Sequence, residues 1–107
     1  MKRKTKIICT IGPSSESEIM IERMIEAGMN VARLNFSHGS HEEHKNRMEL
    51  IRKVSARMGK YVGILADTKG PEIRTGVFEN GFASFKKGEI VKVHKEPILG
   101  TKDAFHI

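Results

Sequence analysis

Polar side chains able to bind ions alternate with apolar ones where one apolar stretch of the sequence ends. Arg33, Asn35 and Ser37 are interleaved there with Leu34 and Phe36. Alternate side chains of a strand share a face, so the guanidinium, the amide and the hydroxyl point the same way. Burying such groups without partners costs free energy. The pattern indicates either an anion or cation site, or a structural network in which a carboxylate satisfies Arg33 and the backbone satisfies the other two.

A second polar group follows the next apolar stretch. Asp67 comes directly after the apolar residues 64–66, and Lys69, Glu72 and Arg74 add charges just beyond it. In parallel α/β folds ligands gather at the carboxyl ends of the strands, so this carboxylate is expected beside the polar end of the preceding strand. The alternatives are a helix cap or salt bridge for Asp67 and a solvated, charged turn for the other three.

The histidines and glycines of the sequence do not form a recognisable metal-binding or nucleotide-binding motif. His38, His41 and His44 follow one another at intervals of three, but His38 precedes the expected helix cap and no acidic partner is fixed, so a metal site there is disfavoured. For His38 both local hydrogen bonding and catalysis stay open. The sequence contains no zinc-type Cys/His spacing, no Walker loop and no dinucleotide glycine fingerprint.

Two strand–helix units must position these polar groups. Residues 6–11, 29–36 and 61–66 are predicted strands, each an apolar run. Three such strands separated by two helices predict parallel pairing with right-handed crossovers, and therefore an α/β fold. The outer strands would present unpaired edges. We therefore expect the sequence to be an incomplete piece of a larger fold.

The predicted helices have clear ends and one clear apolar face. In the longer helix Met48, Ile51, Val54 and Met58 fall near one face, with Leu50 on its flank. The predicted boundaries are capping-box pairs at the starts and glycines at the ends: Ser15 with Glu18, Ser40 with Glu43, Gly28 and Gly59.

The pattern changes after Gly70-Pro71. Asn80-Gly81 between residues 77–78 and 82–85 predicts a β-hairpin, and residues 90–94 read as a further strand. Lys87-Gly88-Glu89 predicts a turn between them. Because no helical periodicity follows residue 71, we expect a boundary between an α/β part, residues 1–70, and an all-β part, residues 71–107.

Composition favours a soluble globular protein with anionic partners. The 107 residues are 38% hydrophobic and 30% charged, with a net charge of +6. Apart from Lys2-Arg3-Lys4 the positive charges are dispersed, and the few aromatic residues do not interleave with them, so no nucleic-acid partner is expected. No stretch is long enough to span a membrane. The single Cys9 is expected to be a buried, inert thiol, which fits a cytoplasmic location.

Three stretches in this order resemble the pyruvate kinases: residues 5–15, 32–39 and 67–76. The resemblance implies a (β/α)₈ TIM barrel with a small β domain inserted after the third strand. The expected fold class is thus an incomplete barrel followed by part of that insertion. Residues 1–70 would supply the first three strands and two helices, and residues 71–107 the beginning of the inserted domain.

The resemblance also implies a reaction and its site. The family transfers a phosphoryl group from phosphoenolpyruvate to ADP, giving pyruvate and ATP, and uses Mg²⁺ and usually K⁺. Arg33 resembles the arginine that binds the substrate phosphate, Arg74 a second arginine facing the transferred phosphate, and Glu72 the carboxylate of K⁺-dependent members. The implied nucleotide site comprises Asn35, Phe36, Ser37, His38 and Arg74. The implied K⁺ ligands are the side chains of Asn35, Ser37 and Asp67 and the backbone oxygen of Thr68.

Other parts of the family's machinery lie on later barrel strands. The lysine that protonates the enolate and the acidic pair that binds Mg²⁺ have no counterpart in these 107 residues. We therefore expect no catalytic residue in this chain and no activity of the chain alone. The resemblance also implies that complete members of the family form homotetramers. The alternatives are a non-catalytic fragment that binds phosphate or associates with a subunit, and a basic nucleic-acid module.

Overall fold

The computed structural model describes residues 3–107, which form two compact units divided between Gly70 and Pro71. Lys2, part of the basic run noted above, lies outside the described residues. The elements of the first unit are β1 (Ile8–Thr10), α1 (Glu18–Ala27), β2 (Val31–Asn35), α2 (His41–Met58) and β3 (Gly63–Asp67). The elements of the second unit are β4 (Lys92–His94) and β5 (Ala104–His106).

The first unit is built on a parallel sheet in the order β1-β2-β3. Thr10 pairs in register with Arg33, and Asn35 pairs with Asp67. The predicted α/β arrangement of parallel strands joined by two helices is confirmed. Since all three strands run the same way, their carboxyl ends lie at one edge of the sheet, where the polar side chains were expected.

The core of this unit lies between the two helices and one face of the sheet. Ile21 of α1, Leu34 of β2, and Ile51 and Val54 of α2 are fully buried there. The predicted apolar face of α2 is confirmed, because the other residues of that face are half-buried against the same core: Met48 and Met58. Burying a large aliphatic side chain contributes about 1.5–3 kcal/mol, so this layer holds the strands in place.

The opposite face of the sheet is open within the first unit. Ile8 is 57% exposed and Leu65 is 39% exposed. The prediction of a buried first strand is therefore wrong for Ile8, and Cys9, which was predicted to be buried, is only half-buried. The reason is geometric: right-handed crossovers place both helices on the same side of three strands, so only alternate residues are covered.

The first helix begins at Ser17 and not at the predicted capping box. The side chain of Ser17 accepts a hydrogen bond from the N–H of Met20 (3.3 Å). The hydroxyl of Ser15 accepts instead from the N–H of Gly12 (3.0 Å) and stabilises the turn after β1. The pairing of Ser15 with Glu18 is thus wrong, because the tighter local turn captures that hydroxyl.

The second helix begins and ends as predicted. Ser40 accepts from the N–H of Glu43 (3.2 Å), and the Glu43 carboxylate accepts from the N–H of Ser40 (2.6 Å). The hydrogen bond from the Ser40 backbone lowers the pKa of Glu43 below its ordinary value. Gly59 ends α2 and Gly28 ends α1, both in the left-handed conformation that favours glycine. No helix in the described part of the chain is long and apolar enough to cross a membrane.

The second unit contains parallel pairing and no hairpin. β4 pairs with β5 in parallel, and Phe78 forms an isolated parallel bridge with Gly100. The predicted hairpin at Asn80-Gly81 is wrong: Gly81 closes a tight turn onto Phe78 (2.9 Å), but the residues beyond it form no strand. Rings of Phe78, Phe85 and Phe105 pack together at 5.7–6.4 Å, and these contacts override the local hairpin preference.

The remaining predictions for this unit hold in part. The strand predicted over residues 90–94 is shorter and spans Lys92–His94. The predicted turn at Lys87-Gly88-Glu89 is confirmed, because the N–H of Glu89 donates to the carbonyl of Lys86 (3.1 Å) and Gly88 has a φ of +93°.

Candidate functional site

The ends of the three parallel strands meet at the guanidinium of Arg33. Its Nε donates to Oδ2 of Asp67 over 2.9 Å, and its Nη2 pairs with the same oxygen. Nη1 donates to the hydroxyl of Thr10 over 3.0 Å. Arg33 therefore spans the sheet from β1 to β3. The register causes this arrangement, since Thr10 lies opposite Arg33 on one side and Asp67 lies opposite Asn35 on the other.

The pair is accessible to solvent. The side chain of Arg33 is 31% exposed and that of Asp67 is 44% exposed, so the pair contributes little to folding, in the range of about 0–1 kcal/mol. A carboxylate therefore does satisfy Arg33, as the structural interpretation requires. Nη1 and Nη2 each carry a second N–H that these bonds do not use, and the partly exposed side chain can donate these to an anion.

Asn35 closes the turn that follows β2. Its Oδ1 accepts a hydrogen bond from the N–H of Ser37 (3.0 Å), and its carbonyl accepts from the N–H of His38 (3.2 Å). This is an Asx-type turn, in which a side chain replaces a backbone partner. The Ser37 hydroxyl is exposed and makes no hydrogen bond to residues 3–107. Backbone groups thus partner Asn35, while Ser37 presents its hydroxyl to solvent.

Phe36 contributes to this region through its backbone and not through an exposed ring. Its N–H donates to the carbonyl of Asp67 (2.9 Å), which ties the turn to the end of β3. Its ring stacks on the imidazole of His44 with centroids 4.3 Å apart. His38 is exposed, and its carbonyl oxygen lies 2.6 Å from Nε2 of His44.

The three histidines do not converge. His44 is buried, whereas His38 and His41 are exposed. Over residues 3–107, no group of three or more His, Cys, Asp or Glu side chains is arranged to hold a metal ion.

The other predicted residues lie at the end of β3 and in the second unit. Thr68 is exposed directly after β3. Arg74 belongs to the second unit, where its Nη2 donates to Oε2 of Glu72 over 3.2 Å. The structure thus brings Arg33 and Asp67 together at one edge of the sheet and places Asn35 and Ser37 in the adjoining turn.

Two residues of this region were missed by reasoning from the sequence: Thr10 and His44. Thr10 is the polar residue of β1 that lies in register with Arg33, but the register is visible only once the strands are paired. His44 lies one helical turn before Met48, so the apolar face of α2 could have been extended back to it.

The atoms that this edge of the sheet offers as metal ligands are oxygens. Oδ1 of Asp67 accepts no hydrogen bond from the described residues, so the carboxylate keeps an oxygen available. The amide oxygen of Asn35 has two lone pairs and uses one for Ser37. With the hydroxyl of Ser37 and the backbone oxygen of Thr68, the set is entirely oxygen, the ligand type of hard cations.

Comparison with known proteins places the chain in one family. Residues 2–106 match the family model described as the pyruvate kinase barrel domain. The chain is 60% identical over 105 residues to the pyruvate kinases of Staphylococcus haemolyticus and Staphylococcus aureus strain USA300, which covers 98% of this chain and 18% of each relative.

Solved structures agree with that match. The crystal structure of Cryptosporidium parvum pyruvate kinase is similar with a TM-score of 0.90 and 47% identity, over 97% of this chain and 22% of that one. The same organism's enzyme in complex with ADP gives a TM-score of 0.82 and 47% identity, over 98% and 21%. The chain thus spans about a fifth of the length of these relatives, and it belongs to the pyruvate kinase family.

Proposed function

We propose that this chain takes part in phosphoryl transfer from phosphoenolpyruvate to ADP, giving pyruvate and ATP, within a pyruvate kinase. The observation that carries the proposal is the position of Arg33, held at the carboxyl end of β2 between Thr10 and Asp67. Ligands of parallel α/β folds bind at this edge of the sheet. The related Cryptosporidium enzyme has been solved in complex with ADP, which supports a nucleotide as one ligand.

The proposed architecture follows from the family. Residues 1–70 form the first three strands and two helices of a (β/α)₈ barrel, and residues 71–107 begin the inserted β domain. The order β1-β2-β3 and the parallel pairing support the first assignment. A homotetrameric assembly and a cytoplasmic location belong to the same proposal; the lone Cys9, which cannot form an internal disulfide, supports the latter.

The two arginines have the role of placing and neutralising phosphate. Both substrates carry phosphate, and their negative charges repel each other unless cations lie between them. In the proposal Arg33 binds the phosphate of phosphoenolpyruvate, and Arg74 faces the phosphoryl group that is transferred. A guanidinium suits this task because its planar fork fixes orientation as well as charge. The nucleotide phosphates are proposed to contact the turn formed by residues 35–38.

The same edge is proposed to hold K⁺. The ligands would be the side chains of Asn35, Ser37 and Asp67 and the backbone oxygen of Thr68, and Glu72 leads us to expect K⁺ dependence. Bound K⁺ and Mg²⁺ supply positive charge that offsets the phosphates. We propose that the Mg²⁺ ligands and the proton donor come from parts of a complete enzyme other than these 107 residues, so the chain alone is expected to show no turnover.

The proposal is tested by exchange of the matching segment between two enzymes. The segment of the S. haemolyticus pyruvate kinase that matches this chain is replaced by residues 1–107, and pyruvate release is measured in a coupled assay. We expect the hybrid enzyme to retain kcat/KM for phosphoenolpyruvate within about ten-fold of the parent. Only contacts between the exchanged segment and the rest of the enzyme differ, so only their share of the transition-state binding energy is lost. A correctly folded, tetrameric hybrid without activity would refute the proposal.

A second candidate function is association without catalysis. The exposed apolar residues of the open sheet face, Ile8 and Leu65, and the unpaired edges of β1 and β3 favour it. Light scattering of the 107-residue chain distinguishes the two functions. If the chain self-associates, or associates with a full-length subunit, and binds phosphate, association is supported. If the chain is a monomer in dilute solution and has no affinity for phosphate, association is contradicted.

A further inference from the structure

His44 is a buried polar residue that the proposed reaction does not use directly. It lies in the first turn of α2 and is 2% exposed. One side of its ring stacks on Phe36 with an interplanar angle of 19°. Its Nε2 lies 2.6 Å from the carbonyl oxygen of His38. A single side chain of α2 thus contacts two residues of the turn that follows β2.

The hydrogen bond assigns the tautomer of this imidazole. A carbonyl oxygen only accepts, so Nε2 of His44 carries the hydrogen and donates it. Nδ1 is buried and has no hydrogen-bond partner among the described residues. An unsatisfied buried polar atom costs about 1–3 kcal/mol. Leucine or methionine would fill the same core position without that cost, so the bond from Nε2 is the feature that distinguishes histidine here.

The backbone conformation of Gly39 allows the turn to lie close to the His44 side chain. Its φ is +77°, a conformation that favours glycine. A Cβ at this position would lie 3.2 Å from Nε2 of His44 and 3.2 Å from Oε2 of Glu43. The backbone of the turn therefore approaches the imidazole more closely than another residue type would allow without displacement.

We propose that His44 is a positioning residue for the turn formed by residues 35–38. The N–H of Nε2 donates to the carbonyl of His38, and the imidazole stacks on the ring of Phe36. These two contacts from α2 add to the hydrogen bond that the Asn35 side chain accepts inside the turn. The turn then presents the Ser37 hydroxyl and the His38 ring in one arrangement to the nucleotide phosphates. This role rests on the proposed function, because that function assigns the turn to the nucleotide.

Two variants separate the hydrogen bond from the ring. His44→Gln keeps a donor near the position of Nε2 and removes the ring, whereas His44→Phe keeps the ring and removes the donor. Val54→Ala is the matched control, because Val54 is fully buried on the same helix but lies nearly three helical turns beyond His44. It lowers stability without touching the proposed interaction.

The first measurement is amide hydrogen exchange by NMR in the complete 107-residue chain. The amide of Ser37, which donates to Asn35, is compared with that of Ile25 in α1. We expect His44→Phe to speed exchange at Ser37 relative to Ile25 by about ten-fold, the usual effect of one lost hydrogen bond. His44→Gln should change the ratio by less than about three-fold, and Val54→Ala should speed both amides together.

The second measurement uses the hybrid enzyme described above. We expect His44→Phe to raise KM for ADP by about ten-fold with a smaller change in KM for phosphoenolpyruvate, and His44→Gln to restore most of the loss. Equal effects of His44→Phe and Val54→Ala on every parameter would overturn the positioning role. Absence of phosphoryl transfer in the unmutated hybrid would refute the proposed function alone, since the exchange ratio still decides whether His44 holds the turn.

Discussion

Nε of Arg33 donates to Oδ2 of Asp67 over 2.9 Å and joins the ends of two neighbouring parallel strands. Asp67 thereby stands between an arginine proposed to bind phosphate and a site proposed to bind K⁺. Its two oxygens are used differently, because Oδ2 serves Arg33 and Oδ1 is left available.

Replacing Asp67 by asparagine should reduce activity far more than stability. The pair is half-exposed, so we expect the free energy of unfolding to fall by about 1 kcal/mol or less. Loss of the charge that orients Arg33 should lower kcat/KM of the hybrid enzyme by about 100-fold. Glu22→Gln is the control, since Glu22 is equally exposed and pairs with Arg57 between the helices. Comparable losses of activity in both variants would contradict the prediction.

Replacing Arg33 by lysine should show the value of the planar fork. Lysine keeps the charge but not the two-pronged geometry, so we expect kcat/KM for phosphoenolpyruvate to fall by about 10- to 100-fold. Steady-state kinetics of the hybrid enzyme measure this, with Arg23→Lys on the exposed surface of α1 as the control. Unchanged kinetics in the Arg33 variant would mean that this guanidinium does not contact the substrate.

Removing the Ser37 hydroxyl should weaken K⁺ binding and leave the fold intact. The hydroxyl makes no hydrogen bond to residues 3–107, so Ser37→Ala should change the melting temperature of the hybrid enzyme by less than about 1 °C without K⁺. Added KCl should raise the melting temperature of the unmutated protein above that in tetramethylammonium chloride. The variant should need several times more KCl for the same rise, and an identical titration would argue against Ser37 as a ligand.

Three glycines separate backbone strain from close contact. Gly39→Ala should lower the free energy of unfolding by more than Gly59→Ala, because both have positive φ but only Gly39 has side-chain atoms 3.2 Å from the added Cβ. We expect about 1 kcal/mol for strain alone and a larger loss at Gly39. Gly12→Ala, which meets nothing within 4 Å, is the control. Urea denaturation measures the free energy of unfolding of the three variants. Equal losses of stability at Gly39 and Gly59 would show that the His44 side chain moves away from the added Cβ at little cost.

The capping box should make part of the stability of the chain dependent on acid. Hydrogen bonds from Ser40 lower the pKa of Glu43 from its ordinary 4.5. A lowered pKa means that the contribution is present above the unfolded-state pKa and is lost as pH falls through the folded-state value. Glu43→Gln keeps an acceptor but does not titrate. Wild type should lose more stability than this variant between pH 5 and about pH 3, and parallel curves would rule out the contribution.

The sequence predicted the first unit well because its signals are local and consistent. Apolar runs, the cap at Ser40 and the glycine at position 59 each determine an element without reference to distant residues. The same reasoning failed at Ser15, where two local hydrogen-bonding patterns compete for one hydroxyl. It also failed at Asn80-Gly81, where the tight turn forms but residues 82–85 do not continue as a strand, and the rings of Phe78, Phe85 and Phe105 pack together instead.

The residue types of the candidate site could be predicted from the sequence, but the contacts between their side chains could not. The types and spacing of Arg33, Asn35 and Asp67 indicate charged and oxygen-bearing strand ends. Which atoms meet depends on the register, and the register places Thr10 beside Arg33. The contact between His44 and the turn was hidden for another reason: a histidine on an apolar helix face looks like an ordinary core residue until its Nε2 is found against a carbonyl.

The parallel sheet also determines the order in which this chain can fold. Residue 8 pairs with residue 31, and residue 31 pairs with residue 63, so each pairing must wait until an entire helix has turned back across the strands. No hairpin is available in this sheet as an early nucleus. We therefore expect α2, with its complete capping box, to form early and the edge of the sheet that carries Arg33 and Asp67 to assemble late in folding.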